Sequence, residues 1–284
     1  MRYCGRDFTK EEFSWIRQLI NNRSDISRKD ISVLFCREYN WLKPDGGLKD
    51  MSCRVALLKM EKDGHFILPP PKTKHTRPYK KIRTLWAAEQ AVISKKAGEF
   101  ELVFEVVTNR SSALWNEFID RYHYLGYKTL PGAQLRYFVK SEGQILALLG
   151  FGAAAWKTAP RDTYIGWDKA TRRKNLHLVV NNARFLILPW VRSKNLGSRI
   201  LSLASKRIGA DWQERYQYRP VLLETFVEIQ RFQGTCYKAA NWARVGETCG
   251  KGKLGNSNGV VPTKSVWLYP LCKDFRSRLT GTGQ

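Results

Sequence analysis

The sequence lacks the cysteine and histidine spacing of a metal or disulfide framework. It has six Cys and four His, and the cysteines at 4, 36, 53, 236, 249 and 272 form no CxxC pair. No apolar run approaches the ~20 residues that cross a bilayer, and the polar first residues lack a signal-peptide core. These absences predict a reduced, cytoplasmic protein with no zinc site and no membrane contact.

Acidic residues are scarce as well. Among 284 residues, Lys and Arg number 49 against 25 Asp and Glu, which gives a formal net charge of +24 at pH 7. Because such an excess repels itself unless a polyanion compensates it, the composition predicts a nucleic-acid partner. A basic tail of the ribosomal kind is the alternative, but the cations are spread along segments with the apolar patterning of folded elements.

Apolar patterning predicts two folded segments joined by a basic connection. The expected order is a small helical domain at 1–68, a basic Pro-rich linker and helix at 69–98, an α/β domain at 99–272 and a tail at 273–284. Within the connection, the prolines and cations of Pro69–Lys81 suit a stiff segment along a phosphate backbone, or a solubilising hinge. Ile82–Gly98 is predicted to be helical.

The first segment has the outline of a winged helix-turn-helix. Thr9-Lys-Glu-Glu12 is a capping box that opens the first helix, Ser27 caps the second, and a third runs from about Asp50 to Met60. An extended element, His65–Leu68, follows. In such a domain the third helix would present three cations to a DNA groove, namely Lys49, Arg54 and Lys59. The alternative is a three-helix interaction module whose cations are only solvated.

The second segment alternates apolar runs of strand length with runs of helical period, which predicts a mixed sheet with flanking helices. Strands are expected at Glu101–Val107, Leu135–Val139, Ile145–Phe151, Ala183–Val191, Pro220–Val227 and Ala243–Thr248. Helices are expected at Ser111–Tyr122, Gly197–Ile208 and Phe232–Trp242.

The stretch Asn182–Gly255 resembles the C-terminal half of a GNAT-type acyltransferase fold. Asn195-Leu-Gly-Ser198 stands where that family binds the pyrophosphate of coenzyme A at a helix start, although only Gly197 is present of its usual glycines. Tyr237-Lys-Ala-Ala-Asn-Trp242 stands in place of its late aromatic helix. The resemblance implies an acetyl-CoA site at Asn195, Gly197 and Ser198, with Tyr237 or His123 handling the proton. A nucleic-acid phosphate, or nothing, is the alternative occupant.

Aromatic and basic residues interleave in the long connection Gly152–Asn182. Rings stack on unpaired bases while Lys and Arg take phosphates, so this pattern predicts contact with single-stranded or flipped nucleotides. The candidate residues are Trp156, Lys157, Arg161, Trp167, Arg172, Arg173 and Lys174. Core filling by both tryptophans is the alternative.

Three acids are candidate ligands for Mg²⁺, which prefers hard oxygen donors. Gathered together, Asp162, Asp168 and Glu224 would make a nuclease or strand-transfer site. Ion pairing within a basic protein is the alternative for each of them. His123, between two tyrosines, is placed for proton transfer or for a structural role at a helix end.

Together, several sequence blocks resemble the DruA family. They include Arg121–Gly126, Leu148–Lys157, Ala159–Asp162, Asn182–Pro189, Asn195–Ser198, Glu224–Val227, Gly234–Tyr237 and Ala240–Trp242. The resemblance implies a role in Druantia anti-phage defence or beside transposases, with partner proteins from such systems, and it implies no particular reaction. Three hypotheses follow: a DNA-binding protein, a metal-dependent nuclease or strand transferase, and an acyl-CoA-dependent enzyme that modifies nucleic acid.

Overall fold

A computed structural model describes residues 1–23, 25–44, 46–71, 81–249 and 262–282. The chain forms two compact units, Met1–Tyr79 and Lys80–Gln284. The division therefore falls inside the predicted basic linker, of which residues 72–80 lie outside the described residues. Among the described helices, none is long and apolar enough to cross a membrane.

The first unit is built on three helices, α1 (Lys10–Asn22), α2 (Arg28–Glu38) and α3 (Asp50–Lys62). Thr9 and Glu12 form the expected capping box on α1, and Ser27 with Asp30 does the same on α2. The apolar faces of the helices meet in one core, which contains Phe8, Ile16, Ile31, Phe35 and Leu57.

The short hairpin of this unit precedes its helices, contrary to the winged-helix outline. Strand β1 (Arg2–Tyr3) pairs with β2 (Arg6–Asp7), whereas His65–Leu68 forms no strand. The segment after α3 is held by side chains, since Arg17 Nε donates to the carbonyl of His65 over 3.0 Å. The expectation of a wing after the third helix is therefore corrected.

The second unit contains a seven-stranded sheet in the order β10-β11-β9-β7-β6-β5-β4. The strands of this unit are β3 (Ile93–Ser94), β4 (Val103–Val106), β5 (Gln134–Ser141), β6 (Gln144–Ala153), β7 (Val179–Ile187), β8 (Val191–Arg192), β9 (Leu222–Glu228), β10 (Ala243–Glu247) and β11 (Lys264–Pro270). Of the described strands in the large sheet, only β7 and β9 pair in parallel. With helices on both faces, this is the mixed α/β class that the sequence predicts.

Helices cover both faces of the sheet. They are α4 (Ser112–Tyr122), α5 (Ala159–Ile165), α6 (Lys169–Asn175), α7 (Leu196–Tyr216), α8 (Thr235–Ala239) and α9 (Phe275–Thr280). Tyr137 and Phe138 are adjacent in β5 and so point to opposite faces. The Tyr137 hydroxyl donates to Asp211 of α7 over 2.8 Å, whereas Phe138 contacts Phe118 of α4. Helices α5 and α9 share a separate apolar cluster with β9 and β11.

The predicted helix Ile82–Gly98 is wrong. The segment has a 3₁₀ turn at Leu85–Ala87, the short strand β3 paired with β8, and a second 3₁₀ turn at Ala97–Glu99. Side chains of α4 form hydrogen bonds with the backbone of this segment, since Arg121 donates to the carbonyls of Thr84 and Ala87 over 2.9 and 3.0 Å. These bonds replace the hydrogen bonds that a helix would supply.

The tail predicted at 273–284 is also corrected. Phe275 and Leu279 lie one helical turn apart in α9, and both are buried in the cluster shared with β9 and β11. Asn175 of α6 donates to the Leu279 carbonyl over 2.8 Å, which fixes the helix end. Residues 275–280 therefore belong to the folded unit.

Candidate functional site

A cavity opens where β7 and β9 part. The two strands pair only through Val179–Asn181 and Leu222–Glu224. Beyond that point they enclose a cavity of about 630 Å³. Its lining comes from the end of α4, the two strands and the start of α8, and includes Tyr122, His123, Tyr124, Asn182, Phe185, Ile187, Thr225, Phe226, Phe232, Cys236 and Tyr237.

The floor of the cavity is polar but uncharged. The Tyr237 hydroxyl donates to Asn182 Oδ1 over 2.8 Å, and Thr225 Oγ1 donates to the Asn182 carbonyl over 3.0 Å. Burial raises the pKa of Tyr237 and also that of the Cys236 thiol. Tyr237, predicted to handle a proton, therefore lies in the cavity as a protonated phenol already hydrogen-bonded to Asn182.

Three rings form what we call the aromatic mouth: His123, Tyr124 and Phe232. The imidazole of His123 stacks on Tyr124 with ring centroids 4.9 Å apart, and Tyr124 lies 5.4 Å from Phe232. The guanidinium carbon of Arg231 lies 5.3 Å from the Tyr124 centroid, and Arg231 Nε donates to Glu228 over 2.9 Å. Tyr124 and Phe232 stay 39% and 49% exposed.

His123 ends α4 and also lines the cavity, whereas its predicted role in proton transfer stays a prediction. Its backbone closes α4 by donating to the Ile119 carbonyl, while its side chain lines the cavity. Nδ1 accepts a hydrogen bond from the Leu125 amide over 3.2 Å, so Nε2 carries the proton of the neutral ring. Burial, with a smaller contribution from Arg184, lowers the pKa of His123 to about 4. At neutral pH the ring is uncharged.

The predicted anion site lies at the start of α7. Asn195 adopts a left-handed conformation just before the helix, and Ser198 Oγ donates to its carbonyl over 3.0 Å. A Cβ on Gly197 would lie 3.3 Å from Cβ of Cys236 and 3.4 Å from Cδ1 of Ile187, so glycine permits close packing of α7 on α8. The packing accounts for Gly197, and anion binding by the neighbouring amides stays a prediction.

The carboxylates proposed as metal ligands are engaged with cations and amides. Arg161 Nη1 donates to Glu224 over 2.8 Å, and its Nη2 donates to Asp162 over 2.8 Å. Arg172 completes the network on Asp162 over 2.9 Å. Glu224 also accepts from the Ala155 amide over 2.7 Å, while burial raises its pKa and Arg161 opposes that rise.

The three-acid metal site is therefore corrected in favour of ion pairing. Asp168 caps α6 by accepting from the Thr171 amide over 2.7 Å and does not join Asp162 and Glu224 in a common site. Within the described ranges, no group of three His, Cys, Asp or Glu side chains is placed to hold a metal ion. The acids instead fasten the segment 155–172 to β9.

The predicted nucleic-acid contacts divide by exposure. Arg161, Trp167 and Arg172 are buried, and Trp167 Nε1 donates to Asp162 over 3.0 Å, so direct contact with a strand is corrected for these three. Trp156 is 54% exposed, and the guanidinium of Arg172 lies 5.9 Å from its ring. The other cations on α6 and α9, and those just before α5 and α9, are exposed. With Trp156 they form what we call the basic face: Lys157, Lys169, Arg173, Lys174, Lys273, Arg276 and Arg278.

The candidate cations of the first unit are less concentrated. Lys49 is half-buried at the start of α3, Arg54 pairs with Asp50 over 3.1 Å, and Lys59 is exposed. Residues 1–71 hold 13 Lys and Arg against 10 Asp and Glu, whereas residues 72–284 hold 36 against 15. The surplus charge therefore belongs to the linker and the second unit.

The sequence patterns did not reveal part of the cavity lining or part of the basic face. Tyr124, Phe232 and Asn182 were not singled out, because only the meeting of α4, β7 and the approach to α8 brings them together. The α9 cations were assigned to a frayed tail, although the spacing of Phe275 and Leu279 is a helical signal.

We expect the Arg161–Glu224 pair to dominate the stability of the second unit. Glu224→Gln leaves Arg161 buried with one carboxylate fewer, which should lower the free energy of unfolding by about 3–5 kcal/mol. Arg161→Met should cost a similar amount, and the double variant Arg161→Met/Glu224→Gln should cost clearly less than the sum of the two single losses. Denaturant unfolding of the four proteins measures this, and additive losses would contradict the coupling.

We expect the low pKa of His123 to be visible as a pH effect. The pKa of His123 is about 4 in the folded protein and lies below the ordinary value of 6.5. Between these two pH values the imidazole is therefore protonated in the unfolded chain and neutral in the folded protein. The stability contributed by neutral His123 should therefore fall as pH falls through that interval. Urea unfolding from pH 7 to about pH 4.5 should show a shallower loss in His123→Phe, with His177→Phe as the control. Identical slopes in all three proteins would refute the assignment.

Among solved structures, the chain is similar to several acetyltransferases. Spermidine/spermine N-acetyltransferase SpeG from Vibrio cholerae matches 64% of this chain and 97% of its own, with 9% identity and a TM-score of 0.39. The aminoglycoside acetyltransferase AAC(6')-Ib in complex with coenzyme A matches 60% and 95%, with 13% identity and a TM-score of 0.40. A GNAT-family acetyltransferase from Streptococcus pneumoniae matches 60% and 99%, with 12% identity and a TM-score of 0.39. At TM-scores this low the likeness carries no argument about chemistry.

Sequence comparison is more decisive. No curated protein matches this chain significantly. The family model described as Druantia protein DruA matches residues 59–263, which include part of α3, the cavity and the Arg161–Glu224 network. Because this match spans well over half of the sequence, the chain belongs to the DruA family.

Proposed function

We propose that this protein is a cytoplasmic, nucleic-acid-binding component of an anti-phage defence system, and that its basic face holds a DNA strand. Membership of the DruA family implies the defence role. The observation that carries the binding function is charge: residues 154–178 and 271–282 contain nine Lys and Arg against three Asp. Seven of these cations are exposed.

The basic face is rigid enough to act as a binding surface. Asn175 joins α6 to α9, and Tyr164 of α5 stacks on Phe275 of α9 with centroids 6.2 Å apart. The guanidinium carbon of Arg276 lies 4.5 Å from the centroid of the Tyr164 ring. A surface that is ordered before binding loses less conformational entropy when the strand arrives.

Exposed Trp156 favours an unpaired strand. A tryptophan ring offers a stacking surface for any base, and neighbouring Lys157 supplies a charge for the adjoining phosphate. This combination suits single-stranded or distorted DNA better than an intact duplex, whose bases are already stacked. The N-terminal unit, through Lys49, Arg54 and Lys59, would add contacts to duplex DNA.

Acyl transfer and metal-dependent cleavage are the alternative activities. Heat evolved on titration with acetyl-CoA would favour an acyl carrier at Asn195–Ser198. Cleavage that requires Mg²⁺ would favour a nuclease, although the ion pairing of Asp162 and Glu224 speaks against these acids as its ligands. Proteins of the defence system or transposases are the proposed partners.

The test of the basic face is charge reversal. Arg173→Glu/Lys174→Glu replaces two exposed cations and should weaken binding of a single-stranded oligonucleotide at least tenfold at low salt. It should also reduce the slope of log affinity against log salt by about 0.7 for each phosphate that is no longer neutralised. Fluorescence anisotropy over a salt series on single- and double-stranded DNA measures both quantities.

The matched control is Lys128→Glu/Lys206→Glu, which reverses the same number of exposed charges outside the basic face. It should keep most of the affinity, because only the net charge changes. Equal losses in the two double variants would mean that binding follows total charge and would contradict a defined strand site.

A further inference from the structure

The cavity between β7 and β9 has the properties of a site for a flat, neutral ring. Its volume of about 630 Å³ lies within the range of small-ligand sites, roughly 300–1,000 Å³. It is closed below by the Tyr237–Asn182–Thr225 hydrogen bonds and bordered above by the aromatic mouth. A single planar ring with its sugar fits such a space.

We infer that this cavity binds one unpaired nucleobase of the strand held on the basic face. The inference rests on the proposed function, since the strand delivers the base. Of the described residues that line the cavity, Arg231 alone carries a charge at neutral pH, and it is already paired with Glu228. An anionic group inside would be compensated only by Arg231, which Glu228 already engages, and by Arg184, which lies outside the lining but close enough to lower the pKa of His123. An uncharged base needs no such counter-charge.

The aromatic mouth is arranged for stacking before any ligand arrives. His123 and Phe232 are fixed through their backbones, which donate to the carbonyls of Ile119 and Glu228 over 3.1 and 2.9 Å. Tyr124 lies between them in contact with both rings. Aromatic rings left half-exposed on ordered backbone are well suited to stack on a base.

Polar groups at the opening can read the edge of the ring. His123 presents Nε2–H as a donor, because its Nδ1 is occupied by the Leu125 amide. Gln233 and Thr235 line the same opening with an amide and a hydroxyl. Base edges carry donors and acceptors that such uncharged groups can satisfy.

The cavity and the basic face adjoin one side of the sheet. Glu224 and Phe226 are two residues apart in β9 and so share a face. Glu224 is bonded to Arg161 and to the Ala155 amide beside Trp156, whereas Phe226 both lines the cavity and packs against the α5–α9 cluster. A strand on the basic face can therefore turn one base toward the cavity.

The experiment uses the full chain and a single-stranded oligonucleotide that contains one 2-aminopurine. On binding to the wild-type protein, we expect the fluorescence of this base to change as it leaves its neighbours and stacks on the aromatic mouth. Tyr124→Ala/Phe232→Ala should abolish the change and weaken binding by at least about fivefold, the low end of what loss of base stacking costs. The salt slope should stay at the wild-type value, because the cations that neutralise phosphates are unchanged.

Trp86→Ala is the control, since Trp86 is 80% exposed and does not line the cavity. It should behave as wild type, and unchanged melting temperatures should show that all variants are folded.

This inference would be overturned if Tyr124→Ala/Phe232→Ala kept the wild-type affinity and the wild-type change in 2-aminopurine fluorescence while charge reversal still lowered the salt slope. That result would leave the strand site intact. Absence of any DNA binding by the wild-type protein would overturn both. If acetyl-CoA cancels the change in 2-aminopurine fluorescence without releasing the oligonucleotide, the result would support the cavity as a ring site. If acetyl-CoA binding is lost in Tyr124→Ala/Phe232→Ala but the wild-type protein never changes the 2-aminopurine fluorescence, the result would overturn the inference.

Discussion

The buried ion pair between Arg161 and Glu224 is the contact on which the second unit is organised. Neither side chain is exposed, so both lose their hydration on folding, and only close geometry offsets that cost. Asp162, Arg172 and the Ala155 backbone supply the further hydrogen bonds. The network ties α5 and α6 to β9, and it thereby holds the exposed cations of α6, together with Lys157 before α5, on a fixed support.

A second constraint comes from the single parallel pair among the described strands of the sheet. Strands β7 and β9 share only three residues of register before they separate and leave a gap between them. Tyr237 from α8 closes the gap from one side by its bond to Asn182, and the end of α4 borders it from the other. The gap thus follows from strand topology, and the loop that carries Phe232 and Gln233 completes the opening of the cavity.

Much of this fold was predictable, because local patterns determine it. Apolar runs located β5, β6 and β9, and helical periodicity with capping located α1, α2 and α4. The prediction of a helix at Ile82–Gly98 was wrong because Leu85, Trp86 and Val92 have helical spacing yet lie exposed. The backbone of this segment is instead hydrogen-bonded by side chains of α4. The partners of Glu224 could not be predicted either, since Arg161 lies 63 residues away in sequence and a carboxylate suits a cation or a metal equally well.

The uneven distribution of charge then separates the roles of the two units. Counterion release scales with the number of phosphates neutralised, so a unit with nearly balanced charge gains little from it. Residues 1–71, with 13 cations against 10 acids, are such a unit. Their helix α3 exposes Met51, Val55 and Leu58, which repeat at helical spacing and add apolar rather than charged surface. The proposed affinity for a DNA strand therefore rests mainly on residues 72–284, where the cations outnumber the acids more than twofold.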